Sequence, residues 1–337
     1  MDLGVSMKTL LLTEEHIKHL LSMDEAMDAV ESAFKEKGLG HVQMPAKLYL
    51  FYKQHSGDLR AMPSYLEDLD ISAVKVVNVH PENRVRYNLP TVMAVIVLID
   101  PKNGAPLAIM GGTSITDMRT GAAGGIAAKY LARKSSKVVG FVGAGAQSKT
   151  QLLALLSLYG ELEEVRVWSR TEKTRDQFVT EMGPVCGGST EIVSVGNAKD
   201  AAEDVDIIVT TTPSRKPIVS ANWISLGTHI NCIGADAPGK EELEPSILTK
   251  AKIVVDDWDQ ASHSGEINVP LTKGIITKKD IWSEIGEIVA GLKPGRTASD
   301  EITVFTSTGL AIQDAVTAEL AYKKALAKGI GSFIEIT

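Results

Sequence analysis

Four cations and one aspartate stand out in this sequence as groups able to do chemistry on a small charged molecule. Lys75 sits inside an apolar run, Ile71-Ser72-Ala73-Val74-Lys75-Val76-Val77. On the cleft side of a strand, burial would lower its pKa and suit it to acid/base work. A solvated strand face is the other reading. Lys47 follows Gln43-Met44-Pro45, Arg60 lies in Asp58-Leu59-Arg60-Ala61-Met62-Pro63, and Arg119 lies in Thr116-Asp117-Met118-Arg119-Thr120-Gly121. Asp236 comes just after a strand ending in Gly234, within Ala235-Asp236-Ala237-Pro238-Gly239-Lys240. The carboxyl edge of an open α/β sheet faces its ligand crevice, so Asp236 could hold an ammonium or activate water. It could equally be a turn-forming aspartate before Pro-Gly.

A second group of residues speaks for a dinucleotide. The apolar strand 137–142 runs into Gly143-Ala144-Gly145-Ala146-Gln147-Ser148, and a helix follows. This is G-x-G-x-x-S, a small-residue variant of the Rossmann fingerprint. The first glycine permits the tight turn, the second lets backbone approach a pyrophosphate, and the third position must be small where helix and strand pack. The pyrophosphate then sits at a helix N-terminus. Alone the motif is weak, but its strand–turn–helix setting fits. The next strand should end in the ribose-reading residue, where an acid selects NAD. Here it ends Trp168-Ser169-Arg170-Thr171. Ser169, Arg170 and Thr171 suit a 2′-phosphate, which inclines the reading to NADP or dual use. The alternative has Arg170 stacked on the adenine or facing solvent. Thr210-Thr211-Thr212-Pro213-Ser214 ends another strand and could line the cofactor, although a threonine run also serves β-propensity alone.

The elements that must position these groups fall into two textures. Residues 13–37 read as one helix, with Thr13 as N-cap, Glu14 and Glu15 in the first turn, and Gly38 and Gly40 ending the pattern. Strand-like stretches follow at 47–52, 59–64, 73–79, 91–100 and 105–110, separated by turns such as His55-Ser56-Gly57-Asp58. Strands without intervening helices imply a largely antiparallel first domain. The texture changes near Thr113. An Ala/Gly-rich helix over 114–132 precedes alternating strands and helices: a strand at 137–142, a helix to about Tyr159, a strand at 164–169, a helix to about Met182, then strands at 206–211, 229–234 and 251–256. This is the βαβ pattern of a parallel sheet covered on both faces. A last helix spans about 310–327. The expected fold class is therefore α/β, a Rossmann-type doubly wound parallel sheet plus an α+β domain. We expect residues 125–310 to form the dinucleotide domain and residues 1–124 with 311–337 the other.

Composition bounds the function. The chain has 337 residues, 44% of them hydrophobic and 23% charged, with a net charge of -7. The length favours two domains, and the acidic balance lacks the basic excess of a nucleic-acid binder. Cys186 and Cys232 form no disulfide framework and lack zinc-site spacing, so no metal is expected. Apolar runs such as 137–142 and 251–255 are too short to cross a bilayer. No signal pattern opens the chain, so a cytoplasmic location is expected. Met7 is the expected start, because the first clear element begins just after it.

Taken together, these segments resemble the ornithine cyclodeaminase and mu-crystallin family, and within it the archaeal-type alanine dehydrogenases. The resemblance spans nearly the whole chain. It rests on residues 43–49, 58–65, 74–83, 89–94, 119–131, 143–147, 210–217, 229–243, 265–268 and 302–314. It implies a homodimer built through the first domain, which the C-terminal helix joins and which carries most of the substrate site. It implies a catalytic lysine at Lys75, a catalytic aspartate at Asp236, and a carboxylate clamp of Lys47, Arg60 and Arg119. Lys47 stands where some relatives have arginine, so the charge survives without the bidentate fork. To the cofactor-binding set of Gly143, Gly145, Ala146, Gln147, Ser169, Arg170, Thr171, Thr210, Thr211 and Thr212 it adds Arg119, Thr120, Gly234, Lys240 and Ser307. Asp236 argues against the ketimine-reductase branch, which lacks it. Trp168-Ser169-Arg170-Thr171 looks more like the NADPH-using mu-crystallins. The implied activity is NAD(P)-dependent interconversion of L-alanine with pyruvate and ammonia. Ornithine cyclodeamination and cyclic-imine reduction are the alternatives, and a non-catalytic ligand-binding role is a further one.

Overall fold

One sheet is covered on one face, so burial alternates along its strands; in the other the central strands are buried on both faces. A computed structural model describes residues 8–336; Met7 lies outside them. The chain divides into two compact units, one running to Arg119 and resuming at Leu310, the other Thr120–Gly309.

In the first unit the elements are β1 (Lys8–Leu12), α1 (Glu14–Lys18), α2 (Met23–Leu39), β2 (Val42–Gln43), β3 (Leu48–Tyr52), β4 (Gly57–Leu66), β5 (Ile71–Val79), α3 (Asn83–Arg86), β6 (Val92–Ile99) and β7 (Pro106–Gly111). α4 (Thr113–Leu131) contains the boundary between the units. The strands order as β18-β1-β7-β6-β5-β4-β2, where β18 is the last strand (Ser332–Glu335), with β3 also on β4. All pairs are antiparallel except β1 with β7. Burial alternates along β4 and β5, so Arg60, Met62, Ser64 and Leu66 share one face with Ile71, Ala73, Lys75 and Val77. That period of two is what a half-covered sheet requires.

The helix expected over 13–37 is two helices, and an unanticipated strand precedes them. Thr13 does cap the first, accepting from the His16 N–H, but that helix stops at Lys18. Ser22 and Glu25 then form a capping box that starts α2, and Gly40 ends it at φ 81°. The S-x-x-E signal was present in the sequence; the apolar periodicity running through both helices hid the break.

In the second unit the elements are β8 (Val138–Val142), α5 (Ala146–Tyr159), β9 (Glu164–Trp168), α6 (Glu172–Cys186), β10 (Glu191–Ser194), α7 (Ala198–Ala202), β11 (Ile207–Thr210), β12 (Arg215–Val219), β13 (His229–Cys232), β14 (Glu241–Leu243), α8 (Pro245–Leu248), β15 (Lys252–Val255), α9 (Trp258–Ser264), α10 (Asn268–Thr272), β16 (Ile281–Glu284), α11 (Ile285–Val289) and β17 (Thr303–Thr306). The main sheet is wholly parallel, in the order β10-β9-β8-β11-β13-β17-β15-β16. Every residue of β11, β13 and β17 is buried, which is why these runs show no alternation. Strand order reverses between β8 and β11, the topological switch point where such sheets bind ligands. The apolar core on one face includes Phe141, Leu152, Val165 and Phe178; each fully buried side chain of this kind contributes about 1.5–3 kcal/mol.

The chain returns to the first unit as α12 (Ala311–Lys328) and β18 (Ser332–Glu335). α12 packs on β5, β4, β6 and α2. Its first two turns, from Ala311 to Ala318, are buried throughout. No helix among the described residues is long and apolar enough to cross a membrane.

Candidate active site

In the first unit, β5 and α12 bring a buried ion cluster together. Lys75 and Asp314 are each 1% exposed. Lys75 Nζ lies 2.6 Å from Asp314 Oδ2 and donates to Thr116 Oγ1 at 3.4 Å. Thr116 in turn donates to the Gly112 carbonyl at 2.6 Å. Arg119 Nε donates to Asp314 Oδ1 at 3.0 Å, and Arg119 Nη1 to Gln313 Oε1 at 3.0 Å. One carboxylate therefore serves two cations. Burial pulls the Lys75 amine down to about 7; Asp314 opposes this, while Arg119 and Lys47 add to it. An amine near 7 both gives and takes protons at neutral pH. The solvated-face reading of Lys75 is excluded.

The other expected substrate residues share the neighbourhood. Arg60 points to the same face of the sheet as Lys75, two registers away, since Arg60 pairs with Val77 and Met62 with Lys75. Its guanidinium donates to Asp58 Oδ1 at 2.9 Å and Oδ2 at 3.3 Å. It also lies 5.3 Å from the Tyr49 ring centroid. Lys47 is half-buried in the link before β3. Gln313 Nε2, on the residue that holds Arg119, is buried with no hydrogen-bond partner among the described residues. The cluster is thus a concentration of cationic donors, the chemistry that recognises a carboxylate.

In the second unit, the expected cofactor residues gather at the carboxyl ends of parallel strands. Gly143 follows β8 at φ 122°, and a Cβ there would meet Thr211 Oγ1 at 2.2 Å, so only glycine fits. Ala146 and Gln147 open α5, whose N-cap is Gly145. No side chain among the described residues caps that helix, and a Cβ on Gly145 would meet nothing within 4 Å of them. Ser148 is fully buried, donates to the Gly143 carbonyl at 2.9 Å and shares a 2.7 Å hydrogen bond with Thr211. It fills the small packing position. Thr120, on α4, passes its carbonyl to Gln151 Nε2 at 2.7 Å.

The tip of β9 carries Ser169, Arg170 and Thr171. Ser169 Oγ donates to the Thr171 carbonyl at 3.2 Å, and Arg175 Nη1 donates to the Ser169 carbonyl at 2.8 Å. Arg170 is exposed. Arg175, one helical turn onward, is a second cation at this tip that the sequence reading did not single out. Beyond β17, Ser307 is buried and its Oγ has no hydrogen-bond partner among the described residues. An uncapped helix N-terminus, an open glycine cradle and an orphaned hydroxyl along one sheet edge fit a dinucleotide diphosphate and its nicotinamide end.

Asp236 and Lys240 lie in the turn after β13. They form an ion pair, and Lys240 Nζ also donates to the Gly234 carbonyl at 3.4 Å. The Asp236 N–H donates to the Gly234 carbonyl at 3.0 Å, so the residue does make the turn. Its side chain remains part-exposed. Thr210 is fully buried, and its hydroxyl donates to Glu242 Oε2 at 2.8 Å rather than opening outward.

A model of the ornithine cyclodeaminase/mu-crystallin family matches residues 7–329. The chain belongs to that family. It is 52% identical to an alanine dehydrogenase of Archaeoglobus fulgidus, over 98% of this chain and 99% of that protein. Among solved structures, an archaeal alanine dehydrogenase dimer with bound NAD superposes with a TM-score of 0.93 at 51% identity, covering 98% of this chain and 100% of that one. The Δ(1)-pyrroline-2-carboxylate reductase of Thermococcus litoralis, in complex with NADH and L-proline, superposes with a TM-score of 0.92 at 44% identity, covering 97% and 100%. Both solved relatives thus hold a nicotinamide dinucleotide without a 2′-phosphate.

Asp314, Gln313, Thr116 and Glu242 belong to these two settings, and none was singled out as a site residue from the sequence. Asp314 sits in the first turn of a helix, where acids are placed routinely for the dipole. Its position carried no signal of its own.

Proposed function

We propose that this family member is an NAD(P)-dependent L-alanine dehydrogenase, interconverting L-alanine with pyruvate and ammonia. The observation that carries the chemistry is the fully buried Lys75 amine, held near neutral pKa beside Asp314 and Arg119. Similarity to the Archaeoglobus enzyme supports alanine as the amino acid. When bound, the dinucleotide supplies or accepts the hydride. Arg119 and Arg60, with Lys47, would hold the substrate carboxylate. Lys75 Nζ would exchange a proton with the carbonyl or carbinolamine oxygen. Asp236 would bind the ammonium or activate water for iminium hydrolysis, once Lys240 yields its ion pair. Gly143, Gly145, Ala146 and Gln147 would cradle the pyrophosphate. Thr120, Thr211, Thr212, Gly234, Lys240 and Ser307 would line the rest of the cofactor.

For the cofactor, solved relatives holding NAD or NADH favour NAD, while the exposed Arg170 and nearby Arg175 favour acceptance of a 2′-phosphate. We read the enzyme as able to use both. We infer a homodimer that covers the outward apolar face of the first unit's sheet, where Val95, Leu48 and Leu50 are exposed. The dimeric relative supports this. We place the enzyme in the cytoplasm, where the buried thiols of Cys186 and Cys232 stay reduced.

A second reading, reduction of Δ(1)-pyrroline-2-carboxylate to proline, is favoured by the 44% identical Thermococcus enzyme. One set of assays separates the two. Purified protein is given pyruvate and ammonium, or Δ(1)-pyrroline-2-carboxylate, with NADH and NADPH in turn, and nicotinamide absorbance is followed. Steady oxidation with pyruvate and ammonium is expected. Oxidation only with the cyclic imine would replace alanine dehydrogenase by the reductase. Proline formed from ornithine with catalytic NAD would move the chain to the cyclodeaminases.

A further inference from the structure

Glu242 is a fully buried carboxylate that the reaction above does not use. Its oxygens face four donors. Oε1 accepts the Thr212 N–H at 2.6 Å and the Thr212 hydroxyl at 2.7 Å. Oε2 accepts the Thr210 hydroxyl at 2.8 Å and the Gly234 N–H at 3.0 Å, which is shared with the Thr210 carbonyl. One side chain therefore ties the ends of β11 and β13, the neighbours on one side of the switch point. The fit is tight: a Cβ on Gly234 would lie 2.7 Å from Glu242 Oε1 and 2.2 Å from the Thr212 carbonyl. A carboxylate offers about four lone-pair sites and no donor, whereas an acid or amide brings a hydrogen that must meet one of these donors. The ionised form alone satisfies the clip.

We infer that Glu242 is a positioning residue for the dinucleotide, holding Thr211–Thr212 and Gly234 in their cofactor-receiving arrangement only while it is ionised. The inference rests on the dinucleotide reading above. Burial pushes Glu242 up to about 7, against the pull of its hydrogen bonds to Thr212, Thr210 and Gly234. The ionisable groups around it are few. Glu266, from the turn before α10, accepts the Glu242 N–H at 2.9 Å; burial, then the Glu242 charge, pushes it well above the carboxylate range. Cys232 of β13 is likewise pushed well up by burial, Glu266 and Glu242. Glu241 on β14 is paired with Lys273 at 3.6 Å. Lys240, paired with Asp236, donates to the Gly234 carbonyl. Glu266 is the group that keeps the proton, since Glu242 has donors on every side. Protonating Glu242 as pH falls through about 7 would release one donor of the clip and loosen cofactor binding.

The test is calorimetric titration of the full-length protein with NAD+ at pH 6, 7 and 8, wild type against Glu242→Gln, with circular dichroism to check folding. Wild-type affinity should weaken as the pH drops from 8 to 6. Glu242→Gln should bind roughly ten-fold more weakly at pH 8, the loss expected for one unmet buried hydrogen bond, and should show little further change with pH. A merely structural glutamate would lose affinity without losing the pH dependence, and that result would overturn the inference, as would unchanged affinity at pH 8. Should Glu242→Gln fail to fold, Thr210→Val removes one donor from a fully buried position. It should shift the midpoint of the pH-dependent affinity upward; an unmoved midpoint overturns the inference. A wild type that binds neither NAD+ nor NADP+ overturns the dinucleotide reading itself and this inference with it.

Discussion

Buried charge is handled in opposite ways in the two units. In the first, Lys75 and Arg119 meet the single carboxylate of Asp314, side chain to side chain. In the second, the acids Glu242, Glu266 and Asp256 are all fully buried, Glu266 keeping its proton, and each is answered mainly by backbone amides and hydroxyls. Asp256 accepts the N–H groups of Thr308 and Gly309 at 2.6 and 2.8 Å. Glu266 accepts the N–H of Leu243 at 2.7 Å. A cation–carboxylate cluster responds to a proton or a charged ligand, because either changes the balance between its members. A carboxylate ringed by backbone donors instead fixes the path of the main chain for as long as it stays ionised. On the proposed function, the first arrangement suits proton transfer at the reacting centre, and the second suits an edge that would receive the cofactor.

The sharpest way to break this contrast is Lys75→Ala. Turnover should fall by on the order of 10²–10⁴, the range for a lost general acid/base, while NADH binding followed by fluorescence stays intact. Near-normal turnover would remove Lys75 from the mechanism. Loss of NADH binding would mean that Lys75 does more than exchange a proton with the substrate.

Asp314→Asn should come next. It leaves two cations around a neutral amide, and breaking a buried pair costs about 3–5 kcal/mol, so Tm should drop and turnover fall by at least about ten-fold. The sign of the pH effect is specific. In wild type, a Lys75 amine near 7 is neutral above that pH, so kcat/KM for alanine oxidation should rise as pH increases through about 7. Asp314 holds the Lys75 pKa up, so its neutral replacement should move that limb to lower pH. A limb that stays in place would assign the titration to another group.

The smallest expected effect concerns the cofactor edge. Arg170→Ala should weaken NADPH about ten-fold, the scale of one lost charge-assisted contact, and leave KM for NADH within about two-fold. Equal losses for both cofactors would return Arg170 to an adenine-stacking role.

Much of this was legible in the sequence. The alternation around Lys75, Val-Lys-Val in a strand, already placed the lysine opposite to its flanking valines. The glycine spacing at 143–148 marked the β8–α5 turn to the residue. The β-rich start and alternating remainder yielded the fold class. The break at 19–22 was missed because helical periodicity persists across a short interruption. Strands β10, β16 and β17 were missed because each carries only two adjacent apolar residues, too short a run to stand out. β17 (Thr303–Thr306) lies near the middle of the sheet but is bounded by threonines, so it reads as no apolar run at all.

Local pattern thus determined which residues turn inward, since face and turn depend only on neighbours a few positions away. It could not determine what they meet there. Arg119 and Asp314 are 195 positions apart, and Thr210 and Glu242 are 32 apart. Only the tertiary structure decides such partners, because a buried charge takes its energy and its pKa from whatever the fold places within a few ångströms of it.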